Sequence, residues 1–446
     1  MRPDPRALPA PAVAMRLAIG MMLLFVATAG GRITASDEYT IYRLTESLVT
    51  KGTVAVAAGN AERGPDGKLY PKAGLGQAIA AAPFYLLGKA AAIPFPPHRK
   101  DLVTRAVTSL LNPFVGGLLA AVLFLLFLHL GASPRGAFLW AVATMLSTPL
   151  WVYAKSFLAE PLLALGLATG FYGASRFREG GGPRHAMIAG FAWGFVILTK
   201  YALLPAVILL ALPFLPSLKR AREALPGVLA LLVCVLVALV YNAARTGSAF
   251  GSGYGRQATM AAFSTPLWVG LYGLLLSSGK GVLWFAPLTA LVPSSLAPAW
   301  RRWGPVALGL ALACAVMTVL YASFEHWAAD GSWGPRYLVP FIPLALALVV
   351  AAHAQTPWGG TPRRVLVGSL AALGLLVQLG GVGIYFGAQM REAGDYPYTR
   401  SLDDPSFMAE SHFNPWRTPI VDHWRMLIRS AGEFVRGEGP SLRVGG

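Results

Sequence analysis

The sequence predicts an all-α polytopic membrane protein, and three observations carry that prediction. Hydrophobic residues make up 55% of the 446 and charged residues only 13%, an imbalance outside the range of soluble domains. The mean hydropathy is +0.55. Apolar runs such as 114–130 and 228–241 are continuous, whereas the strands of a membrane barrel would alternate over about ten residues. Helices also satisfy every backbone polar group within their own segment, as hydrocarbon requires. The formal charge of +17 suits membrane lipids with anionic headgroups and phosphate-bearing substrates. Nucleic acid is not an expected partner, because no basic patch interleaved with aromatics stands outside the membrane pattern. Cys234 and Cys314 fall inside apolar runs, so no disulfide framework is expected.

Taken in order, Arg16 precedes the apolar run 17–31. The run reads as an uncleaved first span, although Ala-Thr-Ala near its end also fits a signal peptide. A first extracytoplasmic loop of 32–100 follows. Within it, Ile41, Leu44 and Leu48 recur at helical spacing, predicting an amphipathic surface helix over 36–49 capped by Thr34 or Ser36, with its polar start in water. Pro65-Asp-Gly-Lys68 is a turn, and 75–93, rich in Ala and Gly and broken by Pro83, is a second surface or re-entrant helix. Spans are expected at 103–130, 137–153 and 157–172. Basic residues at both ends of 187–216 require a hairpin turning at Thr199-Lys200-Tyr201. Further spans are expected at 224–241, 282–299, 306–321, 337–352 and 365–386. The total is about eleven spans with the N-terminus cytoplasmic, and residues 387–446 form a small extracytoplasmic tail on the membrane domain 1–386.

This topology gathers the chemistry-bearing residues on the outer face. Asp37 and Glu38 open the first surface helix, where the positive end of the helix dipole keeps carboxylates ionised, as a base or a metal ligand would need; the same pair is also ordinary capping chemistry. Glu160 sits at a span boundary before Pro161, a depth at which an ionisable residue is a functional candidate, or a partner for Lys155. Lys72, Lys200 and Lys280 are compact cations suited to phosphate oxygens, or snorkelling side chains. Arg336 beside Tyr337 can clamp a phosphate, or anchor the interface with Trp333. Carboxylates and cations at one membrane face are the parts needed to transfer a sugar from a lipid phosphate. One carboxylate takes the acceptor's proton, and cations or a divalent metal held by Asp37 and Glu160 stabilise the leaving phosphate. The segment 273–281 superficially resembles a nucleotide-binding loop, but Gly281 replaces the required Ser or Thr. A transporter or flippase moving a lipid-linked sugar without chemistry is the alternative, although it would want paired helix breaks and internal pseudo-symmetry.

The acidic pair after the first span, Tyr70-Pro71-Lys72 before an apolar surface helix, Glu160, LYGLLLSSGKGVLWFAPL and GSWGPRYLVPFIPL together resemble the GT-C superfamily. Within it the chain is similar to bacterial membrane glycosyltransferases related to protein O-mannosyltransferases and lipid A aminoarabinose transferases. The resemblance implies a GT-C-like fold in the bacterial inner membrane with its active site on the extracytoplasmic face. It also implies inverting transfer from a polyprenyl-phosphate sugar, in some members with a divalent metal. Asp37 then matches the catalytic acid of the first loop, Glu160 the second acidic position and Lys72 the loop lysine near the donor phosphate. The Tyr-Pro-Lys-Ala-Gly of this loop departs from the Lys-Pro-Pro common in the aminoarabinose branch.

Overall fold

In the computed structural model, residues 9–33, 35–215, 220–329, 331–353, 360–388 and 412–437 are described. The chain is helical nearly throughout. Helix α1 (Ala10–Thr28) is followed by α2 (Ser36–Lys51), then by strands β1 (Ala61–Arg63) and β2 (Leu69–Pro71), which pair antiparallel with Ala61 opposite Pro71. The turn expected at Pro65–Lys68 closes this hairpin. Helix α3 (Gly76–Ala91) is the second helix expected in the loop, and α4 (Pro97–Thr108) completes it before α5 (Leu111–His129). The expected single span 103–130 is thus divided around Ser109 and Leu110, ahead of Pro113 in the first turn of α5, where proline is tolerated.

Two further spans are broken where a proline removes a backbone donor and crowds the preceding turn. The expected helix 137–153 is α6 (Pro134–Leu146) and the short α7 (Leu150–Ala154), parted at Pro149. Helices α8 (Glu160–Arg178), α9 (Pro183–Thr199) and α10 (Leu204–Ala211) follow; α9 and α10 are parted at Lys200, where the hairpin is expected to turn, without packing along each other. Helix α11 (Ala221–Thr246) packs along α9, while α12 (Leu267–Leu275) lies between the expected spans 224–241 and 282–299. The expected helix 282–299 is α13 (Val282–Phe285) and α14 (Val292–Trp303), parted by a 3-10 segment that opens at Pro287. Helices α15 (Pro305–Ser323), α16 (Ile342–His353) and α17 (Gly360–Gly383) complete the membrane part.

Among the described residues, six segments are long and apolar enough to cross a membrane: α1, α4 with α5, α11, α15, α16 with the turn before it, and α17. The other expected crossings coincide with helices that are shorter, broken or less apolar. Helix α18 (Pro419–Val435), in the tail, packs against α17. Its His423 ring lies 4.4 Å from that of Trp333 and its Nδ1 is 3.2 Å from the Gly380 carbonyl. Thr34, Asp330 and residues 389–411 of the tail fall outside the described residues.

Candidate active site

Three chain segments meet where the first loop covers the helix ends. Asp37 is in the first turn of α2, Glu160 opens α8, and Arg336 leads into α16. The guanidinium of Arg336 bridges the two carboxylates, donating from Nη1 to Asp37 Oδ2 at 2.9 Å and from Nε to Glu160 Oε1 at 2.8 Å. Side-chain exposure falls along the bridge, from 44% at Asp37 to 19% at Arg336 and 2% at Glu160. Charge-assisted bonds of this kind gain strength as water is excluded. Glu160 therefore pairs with Arg336 rather than with Lys155, whose ammonium is spent on the carbonyl of Val382. The second oxygen of Glu160 is buried and has no hydrogen-bond partner among the described residues.

Burial raises the Asp37 carboxyl, but the charge and hydrogen bond of Arg336, a bond from Asn60 and the field of Lys200 outweigh it, leaving the group below its usual range. Asp37 is thus ionised, oriented and open on one side. Asn60 Nδ2 donates to its Oδ1 at 3.3 Å. Lys200 holds its ammonium over the rings of Tyr337, 4.7 Å from the centroid, and Tyr321 at 5.6 Å. These two rings stack with 4.5 Å between centroids, forming an aromatic floor for the cation. Lys72 pairs with Glu62 at 3.4 Å across the base of the hairpin.

Glu38 does a different task from the one its sequence position suggests. It is buried, not in water, and its Oε2 accepts the Ala35 amide at 3.1 Å while Oε1 accepts the Phe157 amide at 2.7 Å. The cap of α2 is therefore this carboxylate reaching back to Ala35, not the hydroxyl of Ser36. Gln77 and Asn112 donate to the carbonyls of Phe157 and Leu158, each at 2.7 Å. Together the three side chains fix the non-helical link that delivers Glu160. Lys280 is likewise drawn away from the carboxylates: it is buried, with Nζ donating to the Ser332 carbonyl at 2.9 Å. Sequence reasoning missed Asn60 and Glu62; the Pro65–Lys68 turn was their signal, since a hairpin around it sets Asn60 and Lys72 side by side.

The donor set fits a divalent metal poorly. Asp37 and Glu160 each spend an oxygen on the guanidinium between them, and no cluster of three His, Cys, Asp or Glu occurs among the described residues. Arg336 supplies the positive charge between the two carboxylates.

No protein-family model and no curated protein matches the chain. Solved structures do. ArnT from Cupriavidus metallidurans bound to undecaprenyl phosphate is 16% identical with a TM-score of 0.51, over 97% of this chain and 72% of that one. Its apo state gives 15% identity and a TM-score of 0.50, over 98% and 73%. ArnT is a lipid A aminoarabinose transferase of the GT-C superfamily. At such identity the likeness concerns architecture, and the chain accordingly has a GT-C-like membrane fold similar to that of ArnT.

Proposed function

We propose that the protein is an integral-membrane glycosyltransferase that moves a sugar from a polyprenyl-phosphate donor to an acceptor outside the cytoplasm, inverting the anomeric centre. The observation that carries this reading is the ionised, half-open Asp37 held by Arg336 against a buried Glu160. The undecaprenyl phosphate held by the structurally similar ArnT supports a polyprenyl-phosphate donor.

In this mechanism an acceptor hydroxyl enters at the open side of Asp37. Its oxygen bonds to the anomeric carbon from the face opposite the phosphate, its proton passes to the Asp37 carboxylate, and the bond from carbon to phosphate oxygen breaks with its electron pair on the departing polyprenyl phosphate. A carboxylate of lowered pKa is a weak base, so proton transfer follows as the hydroxyl grows acidic in the transition state. Glu160 and Arg336 fix the base, while Lys200 on its tyrosine floor, with Tyr337, and Lys72 on the hairpin meet the charge that builds on the phosphate. Arg336 is thereby first a positioning residue and only secondarily a phosphate ligand. Glu38 supports Glu160 through Phe157, and Lys280 holds the fold. The fold lies in the inner membrane with the N-terminus in the cytoplasm and this site on the opposite face.

The test is turnover of a panel of polyprenyl-phosphate sugars by purified protein in nanodiscs, read as released polyprenyl phosphate. Wild type is expected to consume one donor, and Asp37→Asn to lose about 10²–10⁴-fold in rate. Undiminished turnover by Asp37→Asn would remove the base assignment, and translocation of donor in liposomes without turnover would replace the enzyme with a transporter.

A further inference from the structure

We infer that helix α18 lies in the headgroup layer of the bilayer, its apolar stripe against acyl chains and its arginine stripe on the phosphates of anionic phospholipids. The residues of α18 sort into three stripes at helical spacing. His423, Met426 and Glu433 are buried against the protein. Trp424, Ile428, Ala431 and Val435 form the second stripe, with Phe434 at its edge. Ile428, Val435 and Phe434 are 67%, 84% and 85% exposed. Arg425, Arg429 and, at the C-cap, Arg436 form the third stripe, and all three are exposed. A helix bathed in water on its free sides would show polar residues on all of them. An apolar stripe left uncovered by the protein, beside a basic one, is the pattern of a helix lying in a membrane interface.

What covers the apolar stripe follows from the neighbour of α18. Helix α17 is long and apolar enough to cross a membrane, and its Leu366, Leu373 and Leu376 are about half exposed. Leucines left open on a spanning helix face lipid. Helix α18 docks on the last two turns of α17, at the edge of that surface. Trp424 Nε1 donates to the Leu376 carbonyl at 3.2 Å, and a Cβ at Gly383 would fall 3.0 Å from Leu427 Cδ1. The apolar stripe of α18 therefore continues the lipid-facing surface of α17 at the level where the span ends. Trp424 takes the place favoured by tryptophan at a boundary between membrane and water. A soluble partner would have to enter the acyl layer to reach this stripe.

The arginine stripe fits the layer above. Arg425 bonds Asp422 at 3.4 Å and the Trp416 carbonyl at 3.2 Å, both through Nη1. A guanidinium carries five N–H donors, so these bonds are compatible with a phosphate on its other edge. Arginine stems can lie along the apolar boundary while their heads stay at the phosphates. The His423 ring, 4.4 Å from that of Trp333, joins this lipid seat to the link that leads to Arg336.

Nitroxide labels on the full-length protein in nanodiscs of phosphatidylcholine and phosphatidylglycerol test the placement without any need for transfer activity. With Cys234 and Cys314 changed to Ala, labels go on the apolar stripe at Ile428→Cys and Val435→Cys, and on the basic stripe at Arg429→Cys. Collision with oxygen and with a water-soluble nickel complex is expected to place the first two about 5–10 Å below the phosphates and the third at or above them. Three labels in water would overturn the inference. So would labels at 428 and 435 shielded from both reagents, the mark of a protein partner or a second copy. On the native cysteine background, Arg425→Gln, Arg429→Gln and Arg436→Gln together are expected to lower the preference of the bound lipid shell for spin-labelled phosphatidylglycerol over phosphatidylcholine about fivefold. An unchanged preference would overturn the assignment of the arginines to anionic headgroups.

Discussion

Two regions of this molecule use buried ionisable side chains in opposite ways. Around Asp37, Arg336 and Glu160, charge meets charge, and the chain of ion pairs runs from a closed interior to an open end. Beneath the tail, Lys280 and Lys155 donate to backbone carbonyls, those of Ser332 and Val382, and His423 meets that of Gly380. Trp333 and Gln378 knit that second region, with Trp333 Nε1 on Gln378 Oε1 at 3.0 Å and Gln378 Nε2 on the Phe285 carbonyl at 2.7 Å. The carbonyls of Val382 and Gly380 lie in the last turn of α17 and that of Ser332 in a non-helical link, and side chains complete their bonding there. A cation spent on backbone closes the fold; a cation spent on carboxylates, one of them half open, stores field for a reaction.

Substitutions can break that contrast. The largest effect is expected at Arg336→Gln, which strands a buried Glu160 and frees Asp37: a loss of about 10²–10³-fold in transfer with a destabilisation of about 3–5 kcal/mol. The same variant should change the pH profile in a defined direction. In wild type the lowered Asp37 stays ionised through the usual carboxylate range, so transfer is expected to survive acidification that would protonate an ordinary aspartate. Without Arg336 the upward push of burial prevails, so the acid limb of kcat/KM moves to higher pH, and an unmoved limb would detach Asp37 from it. Glu160→Gln keeps a carbonyl oxygen for Arg336 Nε, so about tenfold is expected in kcat, much less than at Asp37. Smallest in activity is Lys280→Met, expected to change kcat by no more than about twofold while lowering Tm through an unsatisfied Ser332 carbonyl, worth about 1–3 kcal/mol. Loss of transfer with unchanged Tm in that variant would erase the distinction between the two regions.

Much of the architecture was legible because hydropathy and charge punctuation are local. The break at Lys200, the helix over Ser36–Lys51 and the second loop helix are where periodicity and basic flanks put them. The interruptions at Pro149 and Pro287 were less so, since proline inside an apolar run is compatible with a kink or a break. At the site, the sequence offered the right residue types but no pairing. Nothing local distinguishes Asp37 from Glu38, one of which points into the cleft while the other caps its helix and holds Phe157. Nor does spacing show that Arg336 belongs to both Asp37 and Glu160, or that Lys280 belongs to neither.

The Arg336 bridge reaches 299 residues back to Asp37 and 176 back to Glu160, which bears on how the protein is made. During synthesis the two carboxylates leave the ribosome long before their shared cation. Until α16 joins the bundle, the nascent chain carries an unfixed base and an unpaired buried acid. A product truncated before Arg336 therefore lacks the completed ion bridge, and the catalytic arrangement arises only late in biosynthesis, as assembly of the bundle nears its end.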